Sequence, residues 1–345
     1  MISLLAACLL LTPALPDVPR PAPEISAVSA VLTDANGRVV YEKDAHRMLP
    51  TASTTKIMTA LVVLENCDLS ERVEIPASCC GIEGSSMLLR PGESYTVREL
   101  LTGLLLVSGN DAAAALACCC AGDIASFSAL MNAKAKALGM ADTHFLNPHG
   151  LNEAGHYSTA YDMALLMRAA MDDGRFAEIS ALERAEVGGR VLLNHNKLLT
   201  RCEGCIGGKT GYTQVAGRCL VSCAERSHCR LYCVTLNDPD DWDDHEALYD
   251  WAFSRCEEYV FDAGSCRYQI PLLSGLEENT VAVPAKDEKL LLPRNGALRV
   301  RAELPFYVFA PAARGSPAGR LRVYDGERLI AVIPMVYAED CPLNW

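Results

Sequence analysis

The order of hydrophobic and polar positions divides the first 262 residues into a strand region, a helical region and a second strand region. Between about residues 26 and 45, apolar and polar residues alternate on both sides of Asn36-Gly37, a dipeptide typical of tight β-hairpin turns. From Ser53 to about Ala170, apolar residues recur every three or four positions, which predicts helices. Alternation returns near Arg190 and over residues 216–236, before a last helical pattern at 245–256.

Five segments of the helical region are predicted to form helices: STTKIMTALVVLEN, TVRELLTGLLLVSG, NDAAAALACCCAG, IASFSALMNAKAKALG and STAYDMALLMRAAMDD. The last begins with Thr159 and Asp162 at capping-box spacing. From about Ala263 the chain changes to short alternating runs separated by Gly, Pro and Asp-Gly turns, which predicts strands. The predicted fold class is α+β: a helical block beside an antiparallel sheet at residues 25–262, and a small C-terminal all-β domain at 263–345.

Charge and the N-terminal segment restrict the partners and the compartment. The formal net charge of −12 argues against nucleic acid or an anionic surface as the main partner, because both attract an excess of Lys and Arg. Residues 1–24 combine an apolar run of secretory length with a Pro-rich spacer, which predicts a signal peptide and an exported protein. Three fates of this segment stay open: cleavage by signal peptidase, lipidation at Cys8, and retention as an anchor.

The sixteen cysteines do not have the spacing of a disulfide framework. Cys79-Cys80 and Cys118–Cys120 are contiguous, and adjacent cysteines cannot pair with each other without severe strain. Small residues surround the triplet, so we expect reduced, buried side chains that fill space. Cys202 and Cys205 form a CxxC pair without a second pair at zinc-ribbon spacing, so no metal site is predicted. A local disulfide and a plain structural role stay open for this pair.

The first predicted helix carries a pattern with chemical meaning. Ser53 and Lys56 are three positions apart, so both side chains lie on one helix face within hydrogen-bond reach. Serine is a poor nucleophile until a base removes its proton, and lysine is such a base only when burial or a nearby cation keeps it neutral. Alone the pair is a weak signal, since an N-cap serine followed by a solvated lysine has the same spacing.

Two further motifs follow in order. Ser108-Gly109-Asn110 comes after an apolar run, and Lys209-Thr210-Gly211 leads into a strand-like segment. The series S-x-x-K, S-x-N, K-T-G resembles that of penicillin-binding proteins and class A β-lactamases. With LLLVSGNDAAAALA, FLNPHGL and GGKTGYTQVAGRCLV, residues 25–262 resemble the D-alanyl-D-alanine carboxypeptidases of the low-molecular-mass penicillin-binding proteins, a serine peptidase family that includes sporulation-associated enzymes. The segment that follows is similar to the C-terminal domain of that family.

Side-chain chemistry and the resemblance together imply a role for each catalytic candidate. Ser53 is expected to attack a carbonyl carbon, and Lys56 to take its proton with the charge of Lys209 helping to keep it neutral. Asn110 is expected to donate to the amide carbonyl of the substrate, and Ser108 to relay a proton between Lys56 and the leaving amine. A turn followed by a helix cap is the structural alternative for Ser108 and Asn110.

The K-T-G motif is the candidate substrate-binding strand. Lys209 and Thr210 are expected to bind the terminal carboxylate of the substrate. Gly211 is expected to let the substrate lie against the strand without a side chain in the way. The resemblance implies an oxyanion hole made by the backbone N–H groups of Ser53 and Tyr212.

Three other features are weaker candidates. His149 is expected to stabilise its loop rather than act as an acid or base. Residues 194–197 are expected to form a polar turn near the site. Arg218 adds positive charge to the site in one interpretation and serves as a surface or carboxylate-paired residue in the other.

The resemblance implies a peptidoglycan stem peptide ending in D-Ala-D-Ala as substrate, cleaved through an acyl-enzyme, with β-lactams acylating the same serine. Neither a metal nor an organic cofactor is expected. Membrane attachment stays undecided, because AEDCPLNW contains no basic amphipathic stretch of the kind that anchors family members. Two alternatives are kept. One is a β-lactamase of the same fold, disfavoured because Pro148 stands where its loop glutamate is expected; the other is a non-catalytic wall-binding or penicillin-sensing protein.

Overall fold

The computed structural model describes residues 21–293 and 297–343. The described chain forms two compact units, a first unit of residues 21–226 and 230–252 and a second unit of residues 227–229 and 253–343. The predicted signal peptide lies mainly on residues 1–20, outside the described residues. The predicted division of the chain at residue 262 stays a prediction.

The helices of the described residues lie in the first unit, apart from Phe253, the last residue of the final helix. They are α1 Lys56–Asn66, α2 Val97–Leu106, α3 Asn110–Ala121, α4 Ile124–Ala137, α5 Ala160–Asp172, α6 Gly174–Ser180, α7 Leu198–Arg201 and α8 Asp241–Phe253. The five predicted segments correspond to α1–α5, and Thr159 caps α5 by accepting from Asp162 N at 3.0 Å. The prediction at 245–256 is wrong at its C-terminal end: α8 stops at Phe253, because Cys256 begins a strand that pairs along its whole length.

The strands of the described residues form two main sheets and three short ribbons. They are β1 Ser29–Asp34, β2 Val39–Lys43, β3 Arg72–Glu74, β4 Ser94–Thr96, β5 Arg184–Val187, β6 Arg190–Leu193, β7 Cys205–Thr213, β8 Gly217–Arg226, β9 Cys229–Leu236, β10 Cys256–Phe261, β11 Tyr268–Leu273, β12 Asn279–Pro284, β13 Glu288–Pro293, β14 Leu298–Glu303, β15 Val308–Phe309, β16 Pro317–Asp325 and β17 Arg328–Tyr337. The sheet of the first unit has the order β2-β1-β9-β8-β7. The predicted hairpin is confirmed as β1 and β2, with Gly37 at φ +82° in the turn.

Helix α1 is the core of the helical block. It packs against α2, α3, α4, α5 and α6, and every residue from Lys56 to Leu64 is buried. The prediction that this helix begins at Ser53 needs correction, since Ala52–Thr55 form a 3₁₀ turn before α1. The turn packs against the edge strand β7, so Ser53 lies where the helical block meets the sheet.

After Phe253, the regular secondary structure of the second unit consists of strands among its described residues, as predicted. Its six-stranded sheet has the order β14-β16-β17-β12-β11-β15, and β10 pairs with β13 as a separate ribbon. Alternate residues of the two longest strands supply much of its core: Leu321, Val323, Ile333 and Met335.

The contiguous cysteines of the first unit are free thiols, and their redox state in solution stays a prediction. The expectation that these side chains are buried is wrong for four of the five: Cys79 is buried, but Cys80 and Cys118–Cys120 are half-buried. The triplet lies in the last turn of α3, beyond the buried part of the helix that ends at Ala117. No group of His, Cys, Asp or Glu within residues 21–293 and 297–343 has the geometry to hold a metal ion. No single described helix has the length and apolar composition to cross a bilayer, and only the pair α3 and α4, bent by 84°, meets these criteria together.

Candidate active site

The predicted site residues meet at one cavity of about 580 Å³ in the first unit. Six of them line it: Ser53, Ser108, Asn110, Thr210, Gly211 and Tyr212. Lys56 and Lys209 lie behind this lining and are only 0% and 1% exposed. Three motifs that are far apart in the chain therefore come together at a single place.

The turn that carries Ser53 is strained and tightly packed. Ala52, the preceding residue, has φ +46°, a left-handed conformation that residues with a Cβ rarely adopt. Two glycines leave room for the turn: a Cβ on Gly150 would lie 1.8 Å from Ala52 O, and a Cβ on Gly211 would lie 3.0 Å from Ser53 N. The turn is thus held between a loop and strand β7, which positions Ser53 Oγ.

The amine of Lys56 makes three close contacts. Its Nζ lies 2.9 Å from Ser53 Oγ, 2.6 Å from Asn110 Oδ1 and 2.8 Å from the carbonyl oxygen of His149. The amide and carbonyl oxygens can only accept, so they take two N–H groups of the amine. The Ser53 hydroxyl can then donate to the lone pair of a neutral amine. This arrangement suits transfer of a proton from Ser53 to Lys56.

The protonation of Lys56 is set by its surroundings. Burial lowers the pKa of Lys56 well below its ordinary value of 10.5, and the positive charge of Lys209 lowers it further. The negative charge of Asp111 raises the pKa but is a smaller effect. Lys56 therefore loses its proton far more readily than a surface lysine, as a general base must.

Asn110 is the first residue of α3 and joins Lys56 to the rim of the cavity, residues 83–89. Its Oδ1 accepts from Lys56 Nζ while its Nδ2 donates to Glu83 O at 2.5 Å, so the two partners fix the orientation of the amide. The second N–H of Nδ2 can serve a ligand in the cavity.

Ser108 lies in a second unusual backbone conformation, with φ +60°. Its side chain is buried, lines the cavity and, among the described residues, has no hydrogen-bond partner for Oγ. The structure therefore contains no direct hydrogen bond of the kind a relay from Lys56 would use. Burying a hydroxyl without a hydrogen-bond partner costs free energy, so a substrate that forms a hydrogen bond to this hydroxyl would bind more tightly.

The Asp111 carboxylate holds the rim of the cavity in place through hydrogen bonds. Asp111 is buried and accepts hydrogen bonds from Met87 N at 2.9 Å, Leu89 N at 3.0 Å and Ser86 Oγ at 2.6 Å. Sequence reasoning did not assign it this role. Its position directly after Asn110 was the only available signal.

Lys209 lies in β7, and its Nζ donates to the backbone oxygen of Thr210 at 2.9 Å. Burial lowers the pKa of Lys209 to about 7. Within the described part of the chain it forms no ion pair, so no acid competes with an incoming anion. Thr210 lines the cavity and Lys209 does not, so direct contact between Lys209 and a substrate carboxylate stays a prediction.

Gly211 and Tyr212 continue β7 along the cavity. A Cβ on Gly211 would press on the Ser53 turn at Ser53 N, Ala52 Cβ and Thr51 O, which is a second reason for glycine that the sequence did not indicate. The glycine therefore permits close packing of strand and turn, and its role toward substrate stays a prediction. Tyr212 is 66% exposed, and the oxyanion-hole assignment of its N–H stays a prediction.

A hydrogen-bonded chain beneath the Ser53 turn was missed by sequence reasoning. His156 Nδ1 accepts from Leu146 N at 3.2 Å, so Nε2 carries the proton and donates to Thr55 Oγ1 at 3.0 Å. Thr55 Oγ1 lies 3.0 Å from Thr51 Oγ1. Burial lowers the pKa of His156 to about 4, which keeps the imidazole neutral. His156 and Thr55 are 101 residues apart, and no local pattern links them.

The loop FLNPHGL, residues 145–151, is fixed to α1. Thr59 Oγ1 donates to Pro148 O at 2.6 Å, one residue before the carbonyl that accepts from Lys56. His149 Nδ1 accepts from Leu151 N at 3.3 Å, and burial lowers the pKa of His149 to about 4. These contacts agree with the predicted loop-stabilising imidazole. The contribution of the His149 carbonyl to the Lys56 site was not predicted.

One wall of the cavity carries a further cation. Arg218 Nη2 donates to Asp241 Oδ1 at 2.5 Å, and its guanidinium carbon lies 5.5 Å from the Trp242 ring centroid. All three residues line the cavity, as does His195 from the predicted polar turn. Arg218 is thus carboxylate-paired and also lies at the site, which combines the two interpretations considered from the sequence.

A serine hydroxyl, a buried amine placed to take its proton, and a cavity with amide and cationic donors are the groups that a serine acyl-transfer enzyme with a lysine base requires. Comparison with known proteins agrees. The sequence pattern of the D-alanyl-D-alanine carboxypeptidases, peptidase family S11, matches residues 17–240.

Relatives and solved structures extend this match. D-alanyl-D-alanine carboxypeptidase DacB2 of Mycobacterium tuberculosis is 39% identical over 247 residues, covering 68% of this chain and 84% of that protein. DacF of Bacillus subtilis is 30% identical over 333 residues, covering 91% and 85%. The structure of penicillin binding protein 5 from Haemophilus influenzae gives a TM-score of 0.67 at 27% identity, covering 94% of this chain and 99% of that one.

The chain belongs to the D-alanyl-D-alanine carboxypeptidase family S11. It is a serine-type D-Ala-D-Ala carboxypeptidase with the fold of the penicillin-binding proteins. The resemblance drawn from the three motifs and the α+β fold class are both confirmed.

Proposed function

We propose that this carboxypeptidase is exported and removes the terminal D-alanine from peptidoglycan stem pentapeptides through an acyl-enzyme on Ser53. The observation that carries the proposal is the buried Lys56 Nζ, which lies 2.9 Å from Ser53 Oγ and contacts two further acceptors. Family membership supports the substrate class, and peptidoglycan lies outside the cytoplasm. The apolar segment in residues 1–24 supports export. We also propose a catalytic domain at 25–262 and a β-rich domain at 263–345.

Acylation begins at the peptide bond between the two D-alanines. Ser53 Oγ forms a bond to the carbonyl carbon while its proton passes to Lys56 Nζ. The negative charge that develops on the carbonyl oxygen is stabilised by the backbone N–H groups of Ser53 and Tyr212. The C–N bond then breaks as the nitrogen of the departing D-alanine takes the proton from Lys56, directly or through Ser108 Oγ. Lys56 returns to its neutral form, and the serine is esterified.

Hydrolysis of the ester uses the same groups in reverse. Departure of D-alanine leaves space for water, whose proton passes to Lys56 with Ser108 assisting as its oxygen attacks the ester carbon. The proton returns to Ser53 Oγ, and the shortened peptide leaves as a carboxylic acid. The unpartnered Oγ of Ser108 supports this role, because it has no competing bond among the described residues.

The terminal carboxylate of the peptide is bound at the Thr210 end of the cavity. Lys209 has a pKa of about 7, so it is partly protonated near neutral pH. A carboxylate that arrives nearby stabilises the protonated form and raises this pKa, and the Thr210 hydroxyl can donate to the same group. Binding therefore recovers part of the free energy lost by burying a cation without an acid.

A β-lactam is expected to acylate Ser53 and to remain attached. Its leaving group stays tethered in the cleft and obstructs the approach of water. Pro148 occupies the position where a β-lactamase is expected to carry a glutamate that activates water. The penicillin ester is thus expected to outlast the peptide ester.

One preparation tests this assignment with two measurements: the rate of D-alanine release from a stem pentapeptide and the lifetime of the penicillin adduct by intact mass. We expect repeated D-alanine release and a persistent adduct. Rapid penicillin hydrolysis without D-alanine release would reassign the site to a β-lactamase. A stable adduct with no release from any stem peptide would make the protein a sensor.

A further inference from the structure

The six-stranded sheet of the second unit leaves a groove between strands near its two ends. Strand β14 stands at one end of the order, and β11 is covered by β15 only at Leu272 and Leu273. A cavity of about 690 Å³ separates them, lined by residues 268–271 of β11 and residues 299–302 of β14. Successive residues of a strand point to opposite faces. A groove lined by four consecutive residues of each strand therefore opens onto strand edges rather than onto one face.

Strand direction determines what fits between these edges. Every neighbouring pair from β14 through β16, β17 and β12 to β11 is antiparallel. The first and fifth strands of this series therefore run in the same direction and cannot pair antiparallel with each other. One added strand that runs the opposite way would pair antiparallel with both and close the ring.

The side chains at the groove favour an acidic guest. Arg299 and Arg301 are two positions apart and exposed, so they share one face of β14. Arg299 lies 4.9 Å from the Tyr324 ring centroid and 3.5 Å from Glu327 Oε2, an exposed contact. Within residues 21–293 and 297–343, the side chain of Arg301 forms no ion pair or hydrogen bond. Phe306 also lines the groove and is 94% exposed. Charged residues at a sheet edge can serve only to prevent aggregation, but that purpose does not require an exposed phenylalanine beside them.

We propose that this groove binds an extended segment of a partner polypeptide that runs antiparallel to both β14 and β11. Acidic side chains at two alternate positions of the segment face Arg299 and Arg301, and apolar side chains between them face the interior of the sheet. Backbone hydrogen bonds supply affinity, and the two arginines select acidic sequences. This inference does not depend on the proposed function of the first unit.

A second copy of this chain is a poor occupant. In a symmetric antiparallel pair of β14 strands, the arginines of one copy would face those of the other, and like charges opposite each other destabilise a strand pair. The guest is therefore a different polypeptide.

The test uses the full chain and a capped, fluorescent peptide of alternating valine and glutamate. We expect saturable binding by anisotropy and slower hydrogen exchange at residues 268–271 and 299–302. The same peptide with lysine in place of glutamate, and one with N-methylated backbone amides, should each bind at least about tenfold more weakly. The first control tests charge, and the second tests the strand ladder.

A charge swap in the protein sharpens the result. The double variant Arg299→Glu, Arg301→Glu should prefer the lysine peptide, while Arg314→Glu, an exposed arginine of the same unit outside the groove, should keep the preference for glutamate. Equal binding of all peptides would overturn the proposal. It would also be overturned if no peptide bound and hydrogen exchange stayed unchanged, since the arginines would then only protect a sheet edge from aggregation. Binding of peptide-free glycan chains instead of peptides, or a dimer abolished by the double variant, would also overturn it.

Discussion

The active-site cavity and the C-terminal sheet differ in how their basic side chains are buried and paired. Lys56 and Lys209 are buried beside the cavity and form no ion pair among the described residues. In the C-terminal sheet, exposed Arg320 and half-buried Arg322 lie 2.6 and 2.9 Å from Glu303. Burying a lysine amine without an acid beside it disfavours the charged form and costs free energy, whereas an exposed ion pair carries little of that cost. The contrast fits the proposed roles of the two lysines, for which chemistry rather than stability would keep them buried.

The largest effect is expected from removing the buried base. Lys56→Met should reduce D-alanine release by about 10³-fold or more, because it removes the amine that lies 2.9 Å from Ser53 Oγ and methionine cannot take a proton. The matched control is Lys134→Met, which removes a partly exposed lysine outside the site, paired with Glu65 at 2.5 Å. Steady-state release assays on both variants check this, and a Lys56→Met enzyme that keeps most of its rate would contradict it.

The packing of the Ser53 turn gives the next largest effect. Gly150 and Gly155 lie in the same loop region with φ +84° and +95°, but only at Gly150 would a Cβ strike backbone, 1.8 Å from Ala52 O. We expect Gly150→Ala to lower the free energy of unfolding by about 3 kcal/mol and Gly155→Ala by about 1 kcal/mol. Denaturant titrations measure both. Equal losses of unfolding free energy in the two variants would mean that the destabilisation comes from the backbone conformation of the glycine and not from contact with the Ser53 turn.

Replacing Lys209 should separate stability from activity. Its pKa of about 7 lies below the unfolded value of about 10.4, so the unfolded chain binds more protons between these limits and stability rises with pH there. The penalty is complete below pH 7. Lys209→Met should therefore add about 2 kcal/mol of stability at pH 6 while impairing turnover.

Peptide chemistry identifies the cause of that impairment. If Lys209 acts on the terminal carboxylate, Lys209→Met should slow turnover of the free-acid peptide at least about tenfold more than that of its C-terminal amide. Equal slowing of the two peptides would place the action of Lys209 elsewhere.

Acid should destabilise the first unit through its buried imidazoles. The pKa values of His149 and His156 are lowered to about 4 and that of His245 to about 3, in each case mainly by burial. Their contribution is complete above the unfolded value of about 6.5 and is lost as pH falls toward the folded values. We expect a loss on the order of 1 kcal/mol per imidazole, measured by denaturant titration from pH 7 to 4. His156→Gln should flatten this slope, with exposed His46→Gln as the control; an unchanged slope would argue against a neutral His156.

The smallest effect is expected at the surface of the C-terminal sheet. Arg320→Ala removes an exposed contact to Glu303, and such pairs contribute about 0.5 kcal/mol or less. A thermal scan of this variant beside Lys209→Met tests the comparison directly. A loss of more than about 2 kcal/mol in the free energy of unfolding would show that this pair contributes far more than exposed ion pairs do.

Much of the fold could be predicted because its signals are local. The periodicity of α1–α5, the Asn36-Gly37 turn and the alternation of the C-terminal strands each depend on neighbouring residues. The α8 end at Phe253 was missed because pairing of β10 with β13, a contact between distant segments, overrides local helical pattern.

The site was predictable where motif residues carry the chemistry and hidden where distant contacts support it. The sequence indicates Ser53 and Lys56 by their spacing. It contains no pattern that links His156 to Thr55 or the His149 carbonyl to Lys56. The 3₁₀ turn at Ala52–Thr55 follows from packing against β7, which spacing within the segment cannot reveal.

The central claim is that Ser53 is the nucleophile and buried Lys56 its base. The most direct test is peptide mapping by mass spectrometry after incubation with a penicillin across a range of pH, with wild-type and Lys56→Met proteins shown to be folded. We predict one adduct, on the peptide that contains Ser53, formed faster as pH rises through a lowered lysine pKa, and none on Lys56→Met. An adduct on another residue, or equal labelling of the two proteins, would contradict the account.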